Sequence, residues 1–220
     1  MAELIQSLKP ILITTGKTSL LAGVTIPEKT LAVVLIVSGP GGDAAEQHRL
    51  SAELNRNSIA TVAVNLLGAD EQQLDSRTGH FRYDADFLAH RLLDVTQWLA
   101  MNRDLQNLPL GYVGDALGAA AALVAAALRP DIVSAVVSIN GRTDLASDYL
   151  RAVKTPTLLI LNDMPVLRMK RDAVAQIRGE KRIEILHAEG DSATDLFVQK
   201  SVRWFTDKLN VLTPDAWGIA

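Results

Sequence analysis

The stretch Leu110-Gly111-Tyr112-Val113-Gly114-Asp115-Ala116-Leu117-Gly118-Ala119-Ala120-Ala121 constrains the fold more than any other part of the chain. It reads as a buried strand, a sharp turn bounded by glycines, and a helix of small residues. This is the build of a nucleophile elbow, G-x-Nuc-x-G, in which a strained strand-to-helix turn thrusts its middle residue outward. The middle residue here is Ala116, and a methyl group is no nucleophile.

Strands and helices alternate around that stretch. Residues 11–15 and 20–26 are short β-rich segments split by Gly16-Lys17, and predict an antiparallel pair at a sheet edge. Residues 31–37 are continuously apolar and β-branched, which suits a strand buried on both faces. Ser38-Gly39-Pro40-Gly41-Gly42 then turns the chain over the sheet edge, and Asp43 caps a predicted helix to about Asn57. Further strands are expected over 59–64, 110–113, 132–138, 157–161 and 182–186. Residues 66–82 read as a long polar loop. Leu88, Leu92, Val95 and Leu99 mark one stripe of a helix over 83–100, with Asp84 or Asp86 near its start. A helix over 118–128 follows the central strand, a loop covers 140–144, and another helix follows Asn162-Asp163-Met164-Pro165 to about Gly179. The last helix opens at Asp191 or Ser192, with Val198, Val202, Phe205 and Leu209 on one face, and 211–220 form a tail containing Trp217.

This alternation predicts an α/β fold: a mostly parallel, twisted sheet of about eight strands, helices on both faces, and right-handed crossovers. Ligands in such folds sit at the carboxyl ends of the strands. The 220 residues, 48% hydrophobic and 21% charged, suit one domain over 1–220, with edge strands within 1–30 and no separate lid domain. A net charge of −3 turns the reading away from nucleic acid and anionic membranes. The basic stretch 168–182 is interleaved with Asp172 and Glu180 and reads as a solvated helix face. No cysteine is present, which removes disulfides, thiolate metal sites and a cysteine nucleophile. Glu3 and Gln6 interrupt any secretory leader, and 31–37 are too few to span a bilayer. A soluble, cytoplasmic protein is expected, with no metal and no cofactor.

Several segments, in order, resemble α/β-hydrolases of the dienelactone-hydrolase-like family. They are His80-Phe81-Arg82-Tyr83-Asp84 with 88–92 and Trp98-Leu99; the alanine-rich 118–127; 135–138 with 141–146; and 154–161 followed by Asp163 and Pro165-Val166. The resemblance runs from about residue 31 to about 209 and implies the α/β-hydrolase fold. It also implies a machinery: a serine attacks a carbonyl, a histidine takes its proton, an acid orients the histidine, and backbone N–H groups hold the oxyanion.

Mapped onto this chain, that machinery is incomplete. The nucleophile position is Ala116, between the retained Gly114 and Gly118. Asp115, its neighbour, would serve as nucleophile only if the frame shifted by one and put Leu117 where a glycine is wanted; a carboxylate capping the next helix is the simpler account. The acid position is Asp163, which also reads as an ordinary Asn-Asp-x-Pro turn residue. Relatives carry a motif like A-T-H-L-F after the last strand, and here Ala193-Thr194-Asp195-Leu196-Phe197 puts Asp195 at the histidine position. A carboxylate does not cycle between neutral base and cationic acid near pH 7 as imidazole does. His187, at the end of the last strand, is the candidate substitute base. In the oxyanion loop Pro40 has no N–H to offer, and Asp43 adds negative charge. Ser38 stands at a strand end but lacks an elbow and an evident base.

The resemblance therefore implies a non-catalytic homologue, natural or engineered. It would bind a small molecule or a partner in a cleft where Ser38, Gly39, Asp43, Asp115, Ala116, Asp163 and 187–195 converge. The carboxylates of that mouth favour a cationic or hydrogen-bond-donating ligand. The alternative is an active hydrolase on esters or lactones in which His187 and Asp163 activate water. A third reading makes it an interaction protein; self-association to a homodimer is one expectation, with Trp217 of the tail available for the contact.

Overall fold

The computed structural model describes residues 9–38, 44–162, 171–187 and 190–211. Within them, one sheet holds β1 (Lys9–Thr15), β2 (Thr18–Thr25), β3 (Ala32–Ser38), β4 (Ile59–Asn65), β5 (Leu110–Asp115), β6 (Val133–Ile139), β7 (Thr157–Leu161) and β8 (Lys181–Ile185). The order across the sheet is β1-β2-β4-β3-β5-β6-β7-β8. β2 is antiparallel to both β1 and β4, and every other pairing is parallel. The helices are α1 (Ala44–Arg56), α2 (Ala69–Thr78), α3 (Ala85–Met101), α4 (Ala116–Leu128), α5 (171–176) and α6 (Gly190–Lys208).

Each apolar run has gone where its pattern sends it. All seven residues of β3 are buried, because helices cover the sheet on both sides there. One face packs against α3 and α4, through Leu88, Leu92, Val95 and Leu99 and the alanines of 119–126. At roughly 1.5–3 kcal/mol per fully buried aliphatic side chain, the α3 stripe alone outweighs any propensity term in that helix. The other face packs against α1 and α6, through Leu50, Leu54, Phe197 and Phe205. Asp84 caps α3 by accepting the Phe87 N–H at 2.8 Å.

β3 lies between β4 and β5. The chain leaves β3 to one side, forms β4, and returns on the other side to β5. A sheet that reverses its winding this way opens a crevice at the carboxyl ends of the two strands. The glycine-bounded turn falls there.

Two expectations about elements are corrected. The polar stretch 66–82 is not a loop throughout, since α2 occupies its middle. Glu71 accepts the Gly68 N–H at 2.9 Å, and Gly79, left-handed at φ 63°, closes the helix with its N–H on the Asp75 carbonyl. Charged and amide residues made this helix unreadable by apolar period, yet Glu71 at its start and Gly79 at its end hold its termini. The helix after the central strand begins at Ala116 rather than Gly118, so β5 passes into α4 without a loop. The expected tail contact through Trp217 lies outside the described residues. No helix among the described residues is long and apolar enough to cross a membrane.

Candidate active site

Ala116 has a positive φ of 39°. Alanine enters that region only at a cost of about 1–3 kcal/mol, so the surrounding structure must enforce it. The flanking glycines show how. A Cβ on Gly118 would lie 2.4 Å from the Val37 carbonyl oxygen of β3, and one on Gly114 would lie 2.5 Å from the Ala119 nitrogen. Strand, turn and helix are thus pressed backbone to backbone, and Ala116 is left at the apex. Its carbonyl accepts the Arg142 N–H at 2.9 Å, which ties the turn to the segment after β6. Ala116→Gly removes the strained Cβ and adds freedom to the unfolded chain. The first effect is larger, so the variant is expected to be about 1 kcal/mol more stable in urea unfolding.

Asp115 ends β5 and stands at the start of α4, but its side chain makes no capping bond there, so the expected cap is not formed. It borders a small cleft with Val37, Gly114, Ile139 and Phe197. Glu46 of α1 lines the same cleft and accepts a hydrogen bond from the Thr194 hydroxyl at 3.1 Å. Sequence reasoning passed over Glu46, although its place three residues after Asp43 is the spacing of a capping box. The described part of the cleft measures about 30 Å³, room for a water or two.

The remaining predicted site residues do not all gather at the elbow. Ser38 ends β3, is buried, and donates its hydroxyl to the Val64 carbonyl at 3.5 Å. His187 follows β8 and is exposed. Asp195 sits within α6, as the predicted helix start at Asp191 or Ser192 implies. Its side chain is 76% exposed and faces Arg49 of α1 at 3.5 Å, and Asp191 pairs with the same guanidinium at 3.0 Å. Asp195 borders an outer groove between α1 and α6, with Glu53 and Asn57. The expectation of a shared acidic mouth therefore does not hold for Asp195: helical phase carries it to another surface, where Arg49 offsets its charge. Gly39, Asp43 and Asp163 lie outside the described residues.

Tyr112 of β5 is the buried titratable group of the elbow strand. Burial pushes its phenol up to about 12, against a hydrogen bond with the Thr96 hydroxyl. It stays protonated and belongs to the core. Among the described residues no group of three or more His, Asp or Glu side chains is gathered as a metal site requires.

No family model matches the chain. The structure superposes on the dienelactone hydrolase of Anabaena variabilis with a TM-score of 0.86 and 37% identity, covering 92% of this chain and 98% of that one. Est1E of Butyrivibrio proteoclasticus shares the fold, with a TM-score of 0.74 and 12% identity over 91% of this chain and 99% of its own. Two Mycobacterium tuberculosis proteins, provisionally named phosphoribosyl transferases, are 38% identical over 198 residues. That match covers 84% of this chain and 43% of theirs, so the chain spans less than half the length of these curated relatives.

Proposed function

From the premise that this chain belongs to the dienelactone-hydrolase family, we propose that it is a non-hydrolytic member, a binding unit built on the inherited α/β-hydrolase fold. The observation that carries this reading is Ala116 at φ 39° on the apex of the elbow. Covalent acyl transfer begins with attack by a group at that apex, and a methyl has neither lone pair nor proton to give. The placement of Asp195 supports the same reading. A base must come within hydrogen-bond reach of the group it activates, and Asp195 is held toward Arg49 in another groove. Asp115 and Glu46 both line the cleft, and such acceptors favour a hydrogen-bond-donating or cationic group. The mycobacterial relatives are more than twice as long as the matched segment.

The test is hydrolysis of p-nitrophenyl acetate. The protein is expected to leave the buffer rate unchanged, and His187→Ala to make no difference. Turnover above background that is lost in His187→Ala would overturn the proposal in favour of water activated by His187. Ala116→Ser combined with Asp195→His is expected to stay inert, because the new imidazole would stand in the α1–α6 groove. Recovered esterase activity would show that the base position still reaches the elbow.

A further inference from the structure

Among the described residues β1 is the terminal strand of the sheet, and no other described strand pairs with its outer edge. Gly16-Lys17 joins β1 to β2 as a two-residue loop closed by the pair Thr15 and Thr18. Gly16 has φ 56°, while Lys17 is not among the positive-φ residues, the pattern of a type II′ turn. In such a hairpin the closing residues exchange backbone hydrogen bonds, and bonded pairs then alternate along the strands. Thr15, Ile13, Ile11 and Lys9 therefore direct N–H and C=O toward β2. Thr14, Leu12 and Pro10 direct theirs outward. Pro10 supports this phase independently, since a proline in the inward phase would break the ladder.

We propose that this edge docks a second copy of the chain, antiparallel about a twofold axis at Leu12. Leu12 is the middle residue of β1. Centred there, each Leu12 N–H donates to the Leu12 carbonyl of the other copy, and each Thr14 N–H donates to the other copy's Pro10 carbonyl. Four bonds form and none of them needs the N–H that Pro10 lacks. A register centred on Pro10 loses its two central bonds. One centred on Thr14 runs Leu12 against Gly16, beyond the strand. A register centred on the non-bonded Ile13 also forms four bonds, between Leu12 and Thr14, so the leucines decide: Leu12 and Leu21 are direct partners across β1 and β2, are 68% and 61% exposed, and only the Leu12 centre sets leucine against leucine. The twofold axis joins both pairs into one four-leucine stripe. Ile13 is fully buried and Arg91 holds the Thr15 hydroxyl at 2.8 Å, so the edge is already ordered. The two leucines expose on the order of 200 Å² per copy, well under the ~800 Å² per partner of a standard interface. The dimer is accordingly weak and concentration-dependent.

Sedimentation equilibrium of the full chain from about 10 μM to about 1 mM tests this. The mass is expected to rise from 23.8 kDa toward twice that value. Leu12→Lys should abolish the rise without lowering Tm, since an edge lysine blocks pairing. Thr14→Pro keeps the leucines but removes an outward N–H, and is expected to weaken dimerisation about tenfold or more. A wild-type chain that stays monomeric at the top concentration overturns the proposal. Association that appears only after residues 1–8 are deleted does so too, by making that segment the occupant of the edge. A dimer indifferent to Leu12→Lys or Thr14→Pro is joined elsewhere and equally overturns it.

Discussion

Gly118→Ala is expected to destabilise the protein by about 3–5 kcal/mol, among the largest effects of any single methyl added to this chain. The added Cβ would lie 2.4 Å from the Val37 carbonyl oxygen and 3.1 Å from its carbon. Neither atom can retreat. Val37 is paired with Val64 on one side and Gly114 on the other, so moving it pulls on the centre of the sheet. The other way out is for α4 to lift, and its buried alanines at 119–126 pack against the core of that face. Gly114→Ala meets the same difficulty from below, 2.5 Å from the Gly118 carbon and the Ala119 nitrogen. Gly16→Ala is the control: nothing stands within 4 Å of its Cβ position, and only its φ of 56° resists the change, at a cost of about 1–2 kcal/mol. Guanidinium unfolding followed by circular dichroism measures all three. If Gly118→Ala costs no more than Gly16→Ala, the elbow is not pressed against β3.

The elbow was legible in the sequence because its constraint is local. Two glycines four apart, after an apolar run and before an alanine-rich one, admit few backbone paths, and Ala116 at the apex follows from counting between them. The strands were legible for a similar reason: 31–37 and 157–161 are too continuously apolar to tolerate a wet face. What could not be read was whatever depends on helical phase or on a distant partner. Ala193-Thr194-Asp195-Leu196-Phe197 places Asp195 in a motif, but only the start of α6 at Gly190 decides where that side chain points. Arg49, which takes it, is far away in sequence. Glu46 was missed because its neighbour across the cleft, Asp115, arrives through the sheet. α2 was missed because its stability is tertiary: Glu71 is held by Arg91 of α3 at 2.6 Å, and a polar decapeptide shows no period by which to find that.

Asp75 of α2 carries the second large effect. Its side chain is fully buried and accepts three bonds: the Phe81 N–H at 2.8 Å, the Arg82 N–H at 3.0 Å and the Arg82 Nε–H at 2.7 Å. One carboxylate thus fixes the turn that joins α2 to α3. Asp75→Ala leaves the Arg82 guanidinium without its anion and two backbone N–H groups without acceptors, and is expected to cost about 3–5 kcal/mol. Asp75→Asn keeps an acceptor oxygen and the shape but loses the charge, for about 1–3 kcal/mol. The pair separates geometry from charge, and pH separates them again. Burial alone would raise the carboxyl, but the bonds from Arg82 and Phe81 outweigh it and hold the group below its ordinary 3.8. A folded value below the unfolded one means a contribution that is complete above the unfolded value and lost as pH falls through the folded one. Thermal unfolding should therefore feel no change from Asp75 between about pH 7 and 5. Its loss begins near 3.8 and deepens below. Asp75→Asn, having no proton to gain there, should show a shallower acid slope than the wild type. Parallel slopes would mean that other carboxylates govern acid unfolding, and that the Asp75 turn is held by its shape instead of its charge.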